Sequence, residues 1–413
     1  MPRTVHVIGA GLAGLSAAIR LAEGGDNVIL HEAGAQAGGR CRSYHDASLG
    51  MMIDNGNHVI LSGNCSALSY LETIGATDRM HGSEQADFNF VDLASNERWQ
   101  LRLGDGVLPW WIFSASRRVP DTRASDYLVL ALLMARPGTG TVGEAINCSG
   151  ALYERLIEPL LLAMLNNDPP QASAKLAATL MRETLAAGGR TCRPLIARDG
   201  LSNAFVDPAL AFLRSHGASL RFDHELHAID CKDGAAVALK FAAETIPLAE
   251  DDVVILAVPP NAAARLLPGL RAPNEFRAIA NVHFRVNEEV TLPAMTGLVH
   301  ATTQWVFAYP GRLSVTISNA DALMQVPREE LAQTVWREVA RVASLPDRLP
   351  PWQVVRERRA TIATDPQQES LRPPAKTAWT NLFLAGDWTA TGLPPTIESA
   401  IRSGERAARL AAA

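Results

Sequence analysis

The chain has 413 residues, with 38 Lys or Arg against 43 Asp or Glu, and its net charge of −5 argues against a general nucleic-acid-binding surface. The length is enough for about two or three domains. Five cysteines without a C-x-x-C pair predict reduced thiols in the cytoplasm, and no metal site is predicted. No apolar run approaches the roughly 18 residues that a membrane span needs.

The first predicted elements are a short apolar strand at residues 5–8 and a glycine-rich turn, GAGLAG, at residues 9–14. The turn has the spacing G-x-G-x-x-G. Gly9 allows a tight turn, Gly11 lets a pyrophosphate approach the backbone, and Gly14 lets the next helix lie close to the strand. The sequence therefore predicts a dinucleotide site at this turn.

The helix and strand after this turn support the same prediction. Leu12 and Ala13, within the turn, are also predicted cofactor contacts, and the helix predicted at residues 15–23 begins where free N–H groups and the macrodipole favour an anion. A second strand at residues 28–30 leads to Glu32, which lies 18 residues after Gly14. An acid near this offset binds the adenosine ribose hydroxyls and disfavours the 2′-phosphate of NADP.

A second glycine loop, AGGR at residues 37–40, follows closely. A nicotinamide enzyme would continue with a helix and a strand here. Gly39 and Arg40 instead suit a loop laid along a pyrophosphate, with a guanidinium able to bridge its charge. An ordinary surface turn remains the alternative interpretation.

The middle of the chain contains no further phosphate motif, and residues 63–194 are predicted to be rich in helices. Two apolar stretches stand out at residues 108–113 and 160–165. Their default interpretation is buried core, and the alternatives are a wall for a long hydrocarbon substrate or a patch at the bilayer interface. Strands are predicted at 219–222, 224–229, 253–258, 299–309 and 313–318, and helices at 127–135, 153–165 and 329–342.

The last signal is a buried strand at residues 381–385 that ends in Gly386 and Asp387, followed by a helix that begins near Thr396. With the two glycine loops and the IDNGNHV stretch at 53–59, this pattern resembles the flavoprotein superfamily of amine oxidases and carotenoid-type desaturases. Within it, the chain is similar to the squalene-associated FAD-dependent enzymes of bacterial hopanoid synthesis. The resemblance covers the whole chain and includes residues 158–167, 304–307 and 393–396.

The resemblance implies FAD as cofactor and assigns roles to particular positions. Asp387 would accept a hydrogen bond from the ribityl chain, amides near Thr396 and Ile397 would meet the pyrimidine carbonyl, and backbone at Leu226 would meet the adenine. His58 is the candidate proton donor, with Asp54 next. The full set of predicted cofactor contacts is Gly9, Gly11, Leu12, Ala13, Gly14, Glu32, Gly39, Arg40, Leu226, Gly386, Asp387, Thr396 and Ile397.

The implied fold class is α/β, with a Rossmann-like FAD-binding domain of the GR2 type and an interleaved α+β substrate domain. The FAD-binding domain is expected to comprise residues 1–62, 195–258 and 376–413. The substrate domain is expected to comprise residues 63–194 and 259–375.

The implied activity is FAD-dependent reductive dehydroxylation of hydroxysqualene to squalene. Amine-oxidising relatives place aromatic residues beside the flavin, whereas residues 393–395 are Leu-Pro-Pro, which suits an apolar substrate. A phytoene or squalene desaturase and a flavin-binding carrier without chemistry remain open alternatives. The expected partners are a polyisoprenoid substrate and an unidentified reductant, without nucleic acid. The expected location is the cytoplasm, and peripheral contact with the inner membrane is left open.

Overall fold

The structure is a computed structural model that describes residues 3–135 and 137–413. Its strands are β1 (Thr4–Ile8), β2 (Asn27–His31), β3 (Ser43–Asp46), β4 (Met51–Asp54), β5 (Val59–Leu61), β6 (Met80–Gly82), β7 (Asp87–Asp92), β8 (Arg98–Arg102), β9 (Pro194–Ala197), β10 (Ser219–Arg221), β11 (Leu226–Lys232), β12 (Ala235–Phe241), β13 (Thr245–Pro247), β14 (Val253–Leu256), β15 (Phe276–Arg285), β16 (Met295–Val299), β17 (Trp305–Tyr309), β18 (Arg312–Ile317), β19 (Trp352–Ile362) and β20 (Leu382–Leu384). Its helices are α1 (Leu12–Glu23), α2 (Cys65–Thr73), α3 (Leu128–Ala135), α4 (Val142–Ala145), α5 (Glu158–Leu165), α6 (Ala174–Glu183), α7 (Asp207–Ser215), α8 (Pro260–Leu266), α9 (Arg328–Ala343), α10 (Pro366–Ser370) and α11 (Ile397–Ala411).

A parallel five-stranded sheet, in the order β10-β2-β1-β14-β20, forms the first layer. Its central strands are buried on both faces, as a sheet covered on both sides requires. Helices α1 and α11 pack against each other, and the Ser16 hydroxyl donates to the Ile401 carbonyl. The predicted first strand, helix and second strand are confirmed, and α1 ends at Glu23 before two glycines.

A seven-stranded sheet, in the order β19-β15-β18-β17-β16-β7-β8, forms the second large layer. Helix α9, predicted at 329–342, is confirmed and packs on this sheet through Val335, Trp336 and Val339. The prediction that residues 63–194 are mainly helical is wrong for residues 80–102, which form β6, β7 and β8. Strand β7 pairs in parallel with β16, a strand about 200 residues further along the chain.

The single strand predicted at 299–309 is also wrong, because the structure divides it into β16 and β17. His300, with φ of +55°, turns the backbone away from the strand. The amides of Thr302 and Thr303 then donate to the Glu338 carboxylate on α9, at 2.9 and 2.7 Å. This carboxylate stabilises the hairpin turn in place of strand pairing.

The two sheets take their strands from different parts of the chain. The parallel sheet uses residues 4–31, 219–256 and 382–384, whereas the seven-stranded sheet uses residues 87–102 and 276–362. This distribution supports the expected interleaving of two domains. The exact domain boundaries stay a prediction.

Candidate active site

The first glycine-rich turn is packed so closely that two of its glycines have no room for a side chain. Gly9 has φ of +104°, and a Cβ there would lie 2.5 Å from the Ala257 carbonyl oxygen. A Cβ on Gly14 would lie 1.9 Å from the Gly9 carbonyl oxygen. Gly11 differs, because a Cβ on it would meet no atom within 4 Å. The turn is therefore closed towards the protein and open at Gly11.

Helix α1 begins at this opening. Gly11 is its N-cap residue, and no side chain caps the helix. The first amides, at Leu12 and Ala13, lie at the positive end of a 12-residue helix dipole. An anion at this position would be stabilised by both the amides and the dipole.

The second glycine loop lies directly against the first. The Gly38 amide donates to the Ala10 carbonyl at 2.8 Å, and Gly11 and Gly38 form an isolated parallel bridge. A Cβ on Gly39 would lie 3.4 Å from the Gly11 Cα. The two loops, separated in the sequence by α1 and β2, thus form one cradle.

Glu32 lies beside the segment that leads into β11, the strand that begins at Leu226. The Glu32 carboxylate accepts hydrogen bonds from the amides of Ala10 and Gly34, at 2.8 and 2.9 Å. The His224 amide donates to the Glu32 carbonyl at 2.8 Å, which brings the start of β11 beside Glu32. The placement of Glu32 and Leu226 supports the predicted adenosine end of the site, and their contacts with the cofactor stay a prediction.

Arg40 and Asp387 join the second glycine loop to the C-terminal segment. One guanidinium nitrogen of Arg40 lies 2.7 and 2.8 Å from the two carboxylate oxygens of the buried Asp387. The Asp387 carboxylate raises the pKa of Arg40. The sequence predicted both residues as cofactor contacts. In the structure, the two side chains form an ion pair with each other.

Gly386 and Thr396 define the ends of the C-terminal turn. Gly386 has φ of +144°, and its amide donates to the Ser403 hydroxyl on α11 at 2.8 Å. Thr396 is the N-cap of α11, and its hydroxyl accepts from the Ser399 amide. The helix begins at Ile397, next to the predicted start near Thr396, so its first amides directly follow this turn.

Arg372 is a residue of this site that the sequence analysis missed. Its buried guanidinium donates to the carbonyls of Thr389, Leu393 and Asp387 at 3.0, 2.7 and 2.9 Å. It also forms an ion pair with Glu369 at 2.8 Å. The Arg372 side chain therefore fixes the backbone conformation of residues 387–393. The only signal in the sequence was an arginine between a leucine and two prolines, which indicates an exposed turn equally well.

His58 and Asp54 lie close to the Arg40 and Asp387 pair. Burial lowers the pKa of His58 to about 4, with the Asp54 charge raising it and the Arg40 charge lowering it. The buried Asp54 carboxylate accepts from the Ser43 hydroxyl and the Leu201 amide, at 2.6 and 2.8 Å. The Asp54 carboxylate is thus held by hydrogen bonds from neighbouring residues. The lowered pKa leaves the His58 imidazole neutral at neutral pH.

A polar network that the sequence analysis missed lies beside His58. The Asn281 amide group donates to the Asn55 carbonyl at 3.3 Å, which directs its oxygen towards the Thr316 hydroxyl, at 2.7 Å. Because Thr316 donates its proton to Asn281, it accepts from the Asn57 Nδ2 at 3.0 Å. The Asn57 Oδ1 is consequently a buried acceptor with no donor among the described residues. The alternating polar residues of β15 and β18 were the available signal.

These features fit a long dinucleotide such as FAD. The open face at Gly11, the uncapped start of α1 and the adjacent Gly38-Gly39 loop suit a pyrophosphate. Glu32 lies at one end of this cradle, and Asp387 lies towards the start of α11 at the other. The residues that would hold the two ends are therefore supplied by separate stretches of chain that the fold brings together.

Comparisons with known proteins agree with this geometry. The family model "Flavin containing amine oxidoreductase" matches residues 12–412. The chain is 56% identical over 411 residues to "Hydroxysqualene dehydroxylase" of Rhodopseudomonas palustris, covering 99% of this chain and 98% of the relative. It is 52% identical over 411 residues to "Hydroxysqualene dehydroxylase" of Sinorhizobium fredii, covering 100% and 99%.

Solved structures show the same fold at low sequence identity. An engineered double mutant of putrescine oxidase matches with a TM-score of 0.73 and 17% identity, covering 99% of this chain and 98% of that chain. The predicted α/β fold class and the FAD cofactor are thereby confirmed. The chain is an FAD-dependent oxidoreductase and belongs to the family of flavin-containing amine oxidoreductases.

Proposed function

We propose that this chain catalyses the reductive dehydroxylation of hydroxysqualene to squalene. The observation that supports this most strongly is the full-length similarity to two curated relatives with that activity in their names. In the overall reaction, hydroxysqualene and reduced FAD give squalene, water and oxidised FAD. The C–O bond breaks, a C–H bond forms in its place, and the flavin loses two electrons to an external substrate that is itself reduced.

The apolar interior supports a hydrocarbon substrate. One hydrophobic cluster, here called the aromatic-rich cluster, packs against Val59, the residue that follows His58. Its larger members are Phe88, Phe90, Trp99, Trp111, Tyr127, Tyr153, Leu161, Leu165, Trp305 and Phe307. Residues 393–395 provide no aromatic cage for an amine. The polar groups at His58 therefore lie at the end of an apolar region.

The proposed mechanism divides the work between acid assistance and exclusion of water. When bound and reduced, FAD would supply the hydride. His58 donates a proton to the departing hydroxyl, and the Asn57 Oδ1 accepts a hydrogen bond from that hydroxyl and orients its oxygen. Loss of water from an allylic alcohol leaves a delocalised cation on the substrate, which the apolar surroundings protect from hydration. Asp54 keeps the loop in place through its contacts with Ser43 and Leu201.

An anaerobic single-turnover experiment tests the direction of the reaction. Purified protein with photoreduced FAD is mixed with hydroxysqualene, and flavin absorbance and squalene mass are followed. Flavin reoxidation with stoichiometric squalene is expected. Reduction of the oxidised flavin by squalene or phytoene, without the first reaction, would instead identify a desaturase. A flavin that responds to neither substrate would contradict both activities.

Replacing His58 by Gln tests the proton donor. We expect turnover to fall by roughly 100-fold while FAD stays bound, as judged by flavin absorbance. His216→Gln, at an exposed position after α7, is the matched control and should retain full turnover. Turnover that is unchanged in His58→Gln would remove His58 from the mechanism.

The pH dependence gives an independent test of His58. The protonated imidazole is the donor, and its pKa is lowered to about 4, so wild-type kcat/KM should rise as the pH falls from neutral towards that value. His58→Gln should lack this rise. Because the unfolded chain binds the proton more readily, the fold loses stability over the same range, and FAD retention must be measured at each pH. A flat wild-type profile would contradict proton donation by His58.

A further inference from the structure

An unusual surface lies above the aromatic-rich cluster. Six of the eight large apolar side chains that are exposed in the described part of the chain fall between residues 107 and 132. Trp110 and Phe113 are 70% and 65% exposed, and Leu128 and Leu132 are each 63% exposed. We call this set the apolar surface patch, and its members are Val107, Leu108, Trp110, Phe113, Leu128 and Leu132.

Helix α3 lacks the polar face that a surface helix normally has. Its sequence is LVLALLMA, and only Leu130 and Leu133 are buried. A helix that is apolar on all sides is expected in a protein core or in lipid. Since Leu128 and Leu132 lie one turn apart on the uncovered side, folding alone does not account for their hydrophobicity.

Buried side chains join the two segments of the patch, residues 107–113 and helix α3. Trp111, in the same short turn as Trp110 and Phe113, is buried and packs edge-on against Tyr127, with ring centroids 5.3 Å apart. Tyr127 immediately precedes α3, and its hydroxyl accepts from the Val119 amide at 3.0 Å. The exposed side chains of both segments therefore belong to one surface, built on a fixed base.

The charged groups around the patch are mainly unpaired arginines. Arg117 and Arg118 donate to the carbonyls of Leu103 and Ile112, and among residues 3–135 and 137–413 no carboxylate lies within 4 Å of either guanidinium. The exposed Arg123 likewise forms no ion pair with a described carboxylate.

The acids of the same stretch are mostly compensated. Asp105 lies 3.7 Å from Arg193, and Asp121 lies 3.2 Å from Arg155. Asp126 accepts from the Arg123 backbone amide. The patch therefore has a cationic margin, although the whole chain has a net charge of −5.

We propose that the apolar surface patch docks on a phospholipid bilayer with anionic headgroups. Trp110, Phe113 and the α3 leucines enter the boundary between headgroups and acyl chains, and the arginines meet the phosphates. No helix of the described residues is long and apolar enough to cross a membrane. The same cluster that contains Trp111, Leu130 and Leu133 also packs against Val59 beside His58.

This continuity gives the docking a role, which rests on the proposed function. Hydroxysqualene and squalene dissolve in the bilayer rather than in water. A surface in the headgroup region, connected by an apolar interior to the residues beside His58, suits exchange of substrate and product with lipid. Docking itself depends on the patch and its margin, and does not require turnover.

Vesicle flotation of the purified FAD-loaded protein tests the docking. Vesicles of phosphatidylcholine alone are compared with vesicles of phosphatidylcholine and phosphatidylglycerol, without substrate. We expect preference for the anionic vesicles, weakened by salt. The double variant Trp110→Ser/Phe113→Ser should bind them at least about tenfold more weakly. Val237→Ser, which removes an exposed apolar side chain on β12, should bind as the wild type does.

The outcomes separate the docking proposal from the proposed activity. Absence of vesicle binding by the wild type, or equal binding by the double variant, would overturn docking. A concentration-dependent dimer that is lost in the double variant would show that a second copy covers the patch, and would also overturn it. The double variant should turn over detergent-dispersed hydroxysqualene normally. If wild-type protein binds vesicles but fails the anaerobic reaction, the activity fails and the docking stands.

Discussion

Replacing Arg372 by Met should lower the free energy of unfolding by about 3–5 kcal/mol and release FAD from the purified protein. The Arg372 side chain is only 1% exposed, and its guanidinium satisfies three carbonyl groups of residues 387–393. Met fills similar volume but donates no hydrogen bond. Three carbonyls and the Glu369 carboxylate would then remain buried or half-buried without their donor. Urea unfolding and flavin absorbance measure the two effects.

Two further variants identify the cause. Arg271→Met removes an exposed arginine and should change the free energy of unfolding by less than about 0.5 kcal/mol. Adding Glu369→Gln to Arg372→Met removes the orphaned charge and should restore part of the stability, but not FAD binding. Equal stability of Arg372→Met and Arg271→Met would show that Arg372 does not hold the C-terminal turn.

The contrast between Arg372 and Asp387 shows what the sequence could predict. Asp387 follows a buried apolar strand and precedes a helix start, so its place at a strand end was evident from local pattern. The burial of Arg372 depends on carbonyl groups 15 to 21 residues away, which lie beyond β20 in the sequence. Propensity rules contain no information on such contacts.

The same reason explains the successes and errors in the fold. Strand β1, helix α1 and strand β2 are adjacent in the sequence and pack on one another, so periodicity was sufficient. Strands β7 and β8 form a hairpin whose apolar residues face the aromatic-rich cluster, and β7 is completed by β16. Their short length and distant partner made a helix-rich region the simpler prediction.

The candidate active site was partly predictable for a related reason. The cradle residues occur in contiguous glycine motifs, whereas the Asn57 network needs β15 and β18 from a different sheet. Asn281 and Thr316 are neighbours across these strands, and Asn57 meets them only because the loop after β4 lies over the sheet. The sequence pattern identified the loop that contains Asn57, but it did not predict that Asn281 and Thr316 contact this loop.

Replacing Gly11 by Asp should weaken FAD binding on the order of 10²–10³-fold and leave the apoprotein folded. Gly11 has φ of −73° and ψ of 173°, an extended conformation that any residue adopts. A side chain there meets no protein atom within 4 Å of its Cβ. Asp is moreover a favourable N-cap for α1, so the helix gains a cap at the same position where the pyrophosphate loses its site.

The isosteric variant Gly11→Asn separates charge from size. Asn also caps the helix and occupies the same space, but it does not repel a pyrophosphate, so its loss of FAD affinity should be smaller than that of Asp. Flavin titration measures the affinities, and thermal unfolding of the apoproteins measures the fold. If Gly11→Asp binds FAD as tightly as the wild type, the pyrophosphate does not lie at this turn.

Gly14→Ala should lose stability as well as FAD binding, which makes the pair informative. Its Cβ would lie 1.9 Å from the Gly9 carbonyl oxygen, so helix α1 must move away from β1. Stability and FAD binding should therefore fall together in Gly14→Ala, whereas only binding falls in Gly11→Asp. The two variants thus distinguish Gly14, a glycine that the fold requires, from Gly11, a glycine that the ligand requires. Such a separation cannot arise from a glycine turn that serves only to connect a strand to a helix.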